Sequence, residues 1–213
     1  MASSPIRLAV LVSGSGTTLQ NLIDQIASAK LDAVINIVIA SRTGLQALER
    51  AATAKLANFV VNRSGFESVG EFSKAVFGLI DDSGIDLVCL AGWLSLLEIP
   101  EKFAGKVMNI HPALLPSFGG KGMYGAKVHQ AVLDFGCKLS GCTVHFVDGG
   151  FDTGPIILQQ SCSVADDDTA ETLAAKVFEL EKVAYPEAIQ LFAAGRLVIN
   201  GRRVQMTDAA ASK

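Results

Sequence analysis

IRLAVLVSGSGTTLQNLIDQIASA, residues 6–29, is the stretch that decides the fold. Ile6 to Val12 is an apolar run that stops at Ser13-Gly14-Ser15-Gly16. Such a run, closed by a glycine turn, predicts a buried parallel strand. Thr17 to Ala29 then places Leu19, Leu22, Ile23 and Ile26 on one face of a helix. The alternation continues outward. Strands are predicted over Ala33–Ala40, Phe59–Val61, Asp86–Ala91 and Lys106–Ile110, and helices over Leu45–Ala54 and Glu67–Asp82. Further on, a helix is predicted over Ala126–Phe135, strands over Gly141–Val147 and Pro155–Val164, and a long helix over Thr169–Ala193. A hairpin over Leu197–Val204 turns at Asn200-Gly201. Strands alternating with helices predict an α/β fold: a Rossmann-like open twisted sheet, parallel in its N-terminal half, mixed in its C-terminal half, with helices on both faces. Residues 1–206 read as one domain and 207–213 as a frayed, disordered tail.

The turn SGSGTTLQ, Ser13 to Gln20, starts a helix, where backbone N–H groups carry partial positive charge. Gly14 and Gly16 let the main chain approach an anion, and the Thr17 and Thr18 hydroxyls add donors. A plain capped βα turn is one reading, and a dinucleotide site is another. Against the latter, Leu19 stands where a third glycine belongs, and Ser41-Arg42 stands where an acid should hold a ribose. Arg42 suits a 2′-phosphate, so an NADP-binding module stays open as an alternative. No Walker lysine is present, which argues against a P-loop NTPase. The reading favoured is a cradle for the phosphomonoester of a small substrate.

Asn109, Ile110, His111 and Pro112 end a buried strand, and Asp152-Thr153-Gly154-Pro155 follows about forty residues later. Strand alternation sends Asn109 and His111 to the same side, at the carboxyl edge where open α/β sheets bind ligands. An amide donor, an imidazole and a carboxylate are what acyl transfer to an amine requires: one group for a developing oxyanion and two for protons. His145, inside SGCTVHFV, reads either as a hydrogen-bonded structural histidine or as a support for the acidic loop. Residue chemistry alone does not choose between Asp148 and Asp152.

The 213 residues are half hydrophobic, enough for a sizeable core. With 18 Lys and Arg against 21 Asp and Glu, the formal charge is −3, a poor balance for general nucleic-acid binding. Cys89, Cys137, Cys142 and Cys162 lack C-x-x-C spacing, and the three histidines lack H-E-x-x-H, so neither a disulfide framework nor a metal site is expected. Leu8 to Val12 is too short for a signal core or a membrane span, so a cytoplasmic protein is expected.

SGSGTTLQNLID, DLVCLAGWL, NIHPALLPSF, TVHFV, FDTGPIILQ and the helix carrying Tyr185-Pro186 resemble, in order and spacing, the folate-dependent formyltransferases. Within that superfamily they are most similar to the phosphoribosylglycinamide formyltransferases of purine synthesis. The resemblance implies formyl transfer from 10-formyltetrahydrofolate, as co-substrate, to glycinamide ribonucleotide, by a monomer or homodimer. It implies Asn109, His111 and Asp152 as catalytic residues, Asp152 being chosen over Asp148 by its D-T-G-P context. It places the substrate phosphate on Gly16, Thr17 and Thr18, and the ribonucleotide on Glu181. It gives the folate pocket to Leu90, Trp93, Leu94, Leu97 and Val147, with Arg63 near the folate tail. Two departures stand out: Ser95 follows Trp93-Leu94 where relatives carry a basic residue, and Lys182 follows Glu181 where histidine is common. On this reading Asp152 keeps His111 charged, and Asn109 and His111 hold the formyl oxygen. A 10-formyltetrahydrofolate hydrolase or another formyltransferase shares the cluster and remains the alternative, though each is expected to carry an additional domain.

Overall fold

A computed structural model of the chain describes residues 4–208; the expected disorder of residues 209–213 lies outside the described residues. The chain divides into two compact units at the Met108–Asn109 link.

In the first unit, β1 (Ile6–Val12) runs parallel to β2 (Ala33–Ala40) on one side and to β4 (Leu87–Leu90) on the other, and β2 carries β3 (Asn58–Val60). All of β1 except Arg7 is buried, and all of β4 is buried, which is why both read as unbroken apolar runs. Arg7 escapes to the surface and makes a two-pronged ion pair with Asp86 at 2.7 and 2.9 Å. The helices are α1 (Thr17–Ala27), α2 (Gln46–Thr53) and α3 (Val69–Asp82). In α3, Phe72, Val76 and Ile80 are buried at the spacing of one helical face. The chain leaves β1 towards β2 and returns to β4 on the opposite side of β1, so the loops after β1 and β4 flank a topological switch point.

The second unit is mixed. It holds α4 (Ala126–Asp134), β6 (Leu139–Phe146), β7 (Ile156–Ser163), α5 (Ala170–Ala193), β8 (Leu197–Asn200) and β9 (Arg203–Met206); β5 (Val107–His111) runs across the division. β6 and β7 are antiparallel because their short connection leaves no room for a crossover helix. β7 then meets β9 in parallel, and β8 and β9 close an antiparallel hairpin. Strand order through the sheet is β3-β2-β1-β4-β5-β6-β7-β9-β8, the open α/β sheet expected, parallel first and mixed later. α5 packs on β6, β7 and α4, and starts at a capping box made by Thr169 and Thr172.

Several boundaries differ from expectation. α1 stops at Ala27, and Ala29 adopts φ 56, which no helix continues. α3 starts at Val69 because the Ser68 hydroxyl accepts from the Glu71 amide. The last hairpin turns at Gly201-Arg202, one residue later than predicted, since Asn200 stays in the ladder opposite Arg203. Thr207, assigned to the tail, is held: its N–H donates to the Arg196 carbonyl at 2.9 Å, and Arg196 Nε donates to its carbonyl at 2.8 Å. Among the described residues no helix is long and apolar enough to cross a membrane.

Candidate active site

β5 delivers Asn109 half-buried and His111 buried, two residues apart on one face. β6 delivers His145, which is 1% exposed, and the turn between β6 and β7 delivers Asp152. The four side chains meet. Asn109 Nδ2 lies 3.1 Å from His145 Nε2 and donates to Asp152 Oδ1 at 3.2 Å. Asp152 Oδ2 is 3.5 Å from His111 Nδ1, and Oδ1 is 3.5 Å from His145 Nε2. The Gly120 amide donates to Asp152 Oδ2 at 2.9 Å.

Backbone carbonyls set the imidazoles. His111 Nε2 lies 2.8 Å from the Phe118 carbonyl oxygen, and His145 Nδ1 lies 2.8 Å from that of Phe146. A carbonyl only accepts, so each of those nitrogens carries a proton. In the neutral rings, His111 Nδ1 and His145 Nε2 are therefore the basic positions, and both look at Asp152. The loop between β5 and α4, which supplies Phe118 and Gly120, is pinned from β6 and β7. Thr143 Oγ1 donates to the Ala113 carbonyl (2.7 Å) and accepts from the Leu115 amide (3.0 Å) and from Gln159 Nε2 (2.9 Å). Gln159 Nε2 also donates to the Leu115 carbonyl at 3.0 Å. The Leu115-Pro116 bond within this loop is cis.

The two aspartates left open by the sequence differ in geometry. Asp148 Oδ1 accepts from Thr153 Oγ1 (2.6 Å) and the Gly150 amide (3.2 Å), closing its own turn. Asp152 sits at φ 56 and turns into the cluster. The glycine of D-T-G-P has a steric reason: a Cβ at Gly154 would overlap the Phe146 carbonyl oxygen, so only glycine lets this turn press against β6.

Electrostatics correct one expectation. Burial pushes the His111 imidazole below its ordinary value; Asp152 and the Phe118 carbonyl pull the other way and lose, and His145 adds to the depression. His111 is thus neutral near pH 7 rather than held charged by Asp152. Burial alone raises the Asp152 carboxyl, but its interactions with His145, His111 and the Gly120 amide outweigh it and leave it below the usual carboxylate range. Glu181, half-buried on α5, is pushed up to about 7 by desolvation.

In the first unit the glycine turn starts α1. Gly16 is its N-cap in the left-handed conformation, with no side-chain cap, Thr17 exposed and Thr18 buried. Ser13 is a link that the sequence reading missed: its hydroxyl accepts from the Leu94 amide at 3.1 Å, and its N–H donates to the Gly92 carbonyl at 3.1 Å. The glycine turn and the segment expected to line the folate pocket are thereby joined at the switch point. In that segment Leu90, Trp93 and Leu97 are buried, whereas the Leu94 side chain is exposed. Trp93 stacks on Phe72, with ring centroids 5.9 Å apart and planes at 7°, and its buried indole N–H has no acceptor among the described residues. Arg63 folds onto its own segment, donating to the Phe66 carbonyl at 2.6 Å with its guanidinium over the Phe72 ring. Val147, in the second unit, is half-buried beside the acidic turn. Among the described residues, no group of three or more His, Cys, Asp and Glu is placed to hold a metal.

Residues 6–189 match the formyl transferase family. The chain belongs to that family. This formyl transferase is similar to glycinamide ribonucleotide transformylase 1 from Symbiobacterium toebii, with a TM-score of 0.89 and 41% identity over 97% of this chain and 96% of that one. It is 36% identical to the phosphoribosylglycinamide formyltransferase of Haemophilus influenzae, over 90% of this chain and 89% of that protein. It is 38% identical to the trifunctional purine biosynthetic protein adenosine-3 of Gallus gallus, but spans only 19% of that relative's length. The formyltransferase resemblance seen in NIHPALLPSF and FDTGPIILQ therefore holds, as does the fold it implied.

Proposed function

We propose that this formyl transferase moves the formyl group of 10-formyltetrahydrofolate to the amine of glycinamide ribonucleotide, a step of purine synthesis. The observation that carries the proposal is the closed cluster of Asn109, His111, His145 and Asp152. The similarity to proteins named for this reaction supports the choice of substrates.

The substrate nitrogen forms a bond to the formyl carbon, and the carbonyl electrons move to oxygen. Asn109 Nδ2, which donates to Asp152 and faces His145, turns one hydrogen to that oxyanion. The amine then loses a proton to the basic Nδ1 of His111. A proton there faces the Asp152 carboxylate, which stabilises it at once. A neutral His111 suits this step better than a charged one, because it can accept. Collapse of the adduct breaks the bond to folate N10, and the proton passes from His111 to N10, so charge and protons balance. His145 Nε2, accepting from Asn109 Nδ2, fixes the Asn109 amide beside Asp152. Glu181, part-neutral near pH 7, is suited to hydrogen-bonding ribose hydroxyls. The glycine turn and Thr17 and Thr18 take the phosphate, and the Leu90–Leu97 segment takes the folate ring.

The test is turnover of 10-formyltetrahydrofolate with and without glycinamide ribonucleotide. Tetrahydrofolate release that requires the ribonucleotide, with stoichiometric formylated product, supports the proposal. Release that ignores the ribonucleotide and yields formate makes the protein a hydrolase and overturns it.

A further inference from the structure

α2 closes over the Gly16 turn. A Cβ at Gly16 would come within 2.7 Å of the Ala47 Cβ and 2.8 Å of its Cα. One turn along the same helix, Arg50 Nε donates to the Ser15 carbonyl at 3.0 Å, and Nη1 donates to Gln20 Oε1 at 3.1 Å. Gln20 is itself fixed by donating Nε2 to Asp24 Oδ1 at 2.9 Å. Both acceptors of Arg50 are neutral, and among the described residues no carboxylate pairs with it. By contrast Arg7, Lys138 and Lys176 all sit on carboxylates.

Two consequences follow from elementary geometry and charge. A trans peptide points its C=O and the following N–H in opposite directions. Holding the Ser15 oxygen against α2 therefore turns the Gly16 N–H away from α2. The plane of that peptide is set by Arg50 and not by the glycines, which on their own leave it free to rotate. A guanidinium bound only to neutral oxygens also keeps its full positive charge. That charge stands beside the helix start, where the amides of α1 already favour an anion.

We infer that Arg50 is a positioning residue that makes the Gly16 turn selective for a phosphomonoester dianion, by fixing the Ser15–Gly16 peptide and adding an uncompensated charge. This rests on the proposal that the turn holds the substrate phosphate. It assigns the selectivity to a side chain on a different helix from the turn itself.

The experiment compares wild type, Arg50→Gln and Arg50→Lys with glycinamide ribonucleotide and with the same riboside lacking phosphate. Ribose 5-phosphate serves as a competitive probe. Arg50→Gln is expected to raise KM for the ribonucleotide about 10–100-fold, the scale of a hydrogen bond to a charged group, with kcat at saturation changed less than about twofold. Its KM for the riboside is expected to stay put, and ribose 5-phosphate inhibition to weaken in parallel. Arg50→Lys, which keeps charge but loses the planar fork, falls between the two. If the ribonucleotide KM is unmoved in a folded Arg50→Gln, or if both substrates suffer equally, Arg50 is only a structural clamp and the inference is overturned. Wild-type enzyme that handles riboside and ribonucleotide alike removes the phosphate role of the turn itself, a different failure that needs no Arg50 variant to detect.

Discussion

The two candidate binding regions are built from opposite materials. In the second unit, four side chains converge, three of them from β5 and β6 and one from a turn, and their chemistry is the site. In the first unit, the Gly16 turn offers mainly backbone, with exposed hydroxyls at Ser15 and Thr17. A side-chain cluster fails when an atom is changed; a backbone cradle fails when a peptide plane moves. Substitution effects should therefore be steep and confined to kcat in the first case, and shallow and confined to KM in the second.

The sharpest way to break that contrast is Asp152→Asn. The amide keeps an oxygen for the Gly120 N–H, so the turn can persist, while the charge beside His111 is gone. The expected loss in kcat is about 10²–10⁴-fold, with little change in KM. The sign of the pH effect is fixed as well. Asp152 raises His111 against the effect of burial, so removing its charge lowers His111 further and moves the acid limb of residual activity to lower pH. A pH–rate profile whose acid limb moves upward, or a kcat within threefold of wild type, contradicts the assignment.

A smaller effect tests how far the side-chain site depends on its mounting. Thr143→Val keeps the shape but leaves the Ala113 carbonyl and Leu115 amide without partners in a buried place. Each unsatisfied group costs about 1–3 kcal/mol. The expected result is a lowered Tm and a kcat reduced about tenfold or more, because the same loop carries Phe118 and Gly120 to His111 and Asp152. Thr143→Ser, which restores the hydroxyl, should recover most of both. Full activity in a destabilised Thr143→Val enzyme shows that the loop holds its place without β6.

What the sequence made legible follows from the same contrast. Asn109 and His111 were readable because period-two alternation and residue type suffice to place them on one face. The choice of Asp152 over Asp148 was not readable from chemistry, since it turns on a left-handed backbone and on the Thr153 bond that occupies Asp148. Resemblance supplied it instead. The charge state of His111 was misjudged because pairing was visible in the sequence and burial was not. Thr143 left a signal that went unread: it stands two residues before His145 in one strand, so the strand that holds a site histidine was already pointing a hydroxyl to the same side. Arg50 and Ser13 left none, because each acts on main-chain atoms far away in sequence.

Glu181 offers a pH test of intermediate size. Its folded pKa is raised to about 7 from an ordinary 4.5, so the fold prefers the neutral acid. That contribution is fully present below about pH 4.5 and is lost as pH rises through about 7. Glu181→Gln removes the loss. Relative to wild type, the variant is expected to be more stable at pH 8 than at pH 5, by about 1–2 kcal/mol. Denaturant melts at the two pH values measure it, and a gap that is flat with pH, or wider at pH 5, contradicts the burial of a proton on Glu181.

The smallest effect belongs to the backbone cradle. Thr17 is exposed and makes no cap hydrogen bond to the start of α1, so its removal costs the fold little. If peptide amides and the helix terminus hold the phosphate, Thr17→Ala deletes one hydroxyl donor out of several and should raise KM for the ribonucleotide about two- to tenfold, near the net value of one hydrogen bond. Its kcat should not move if the turn acts in binding alone. A steep kcat loss in this variant erases the distinction between the two regions, because it shows that the turn takes part in the transition state and not in binding alone.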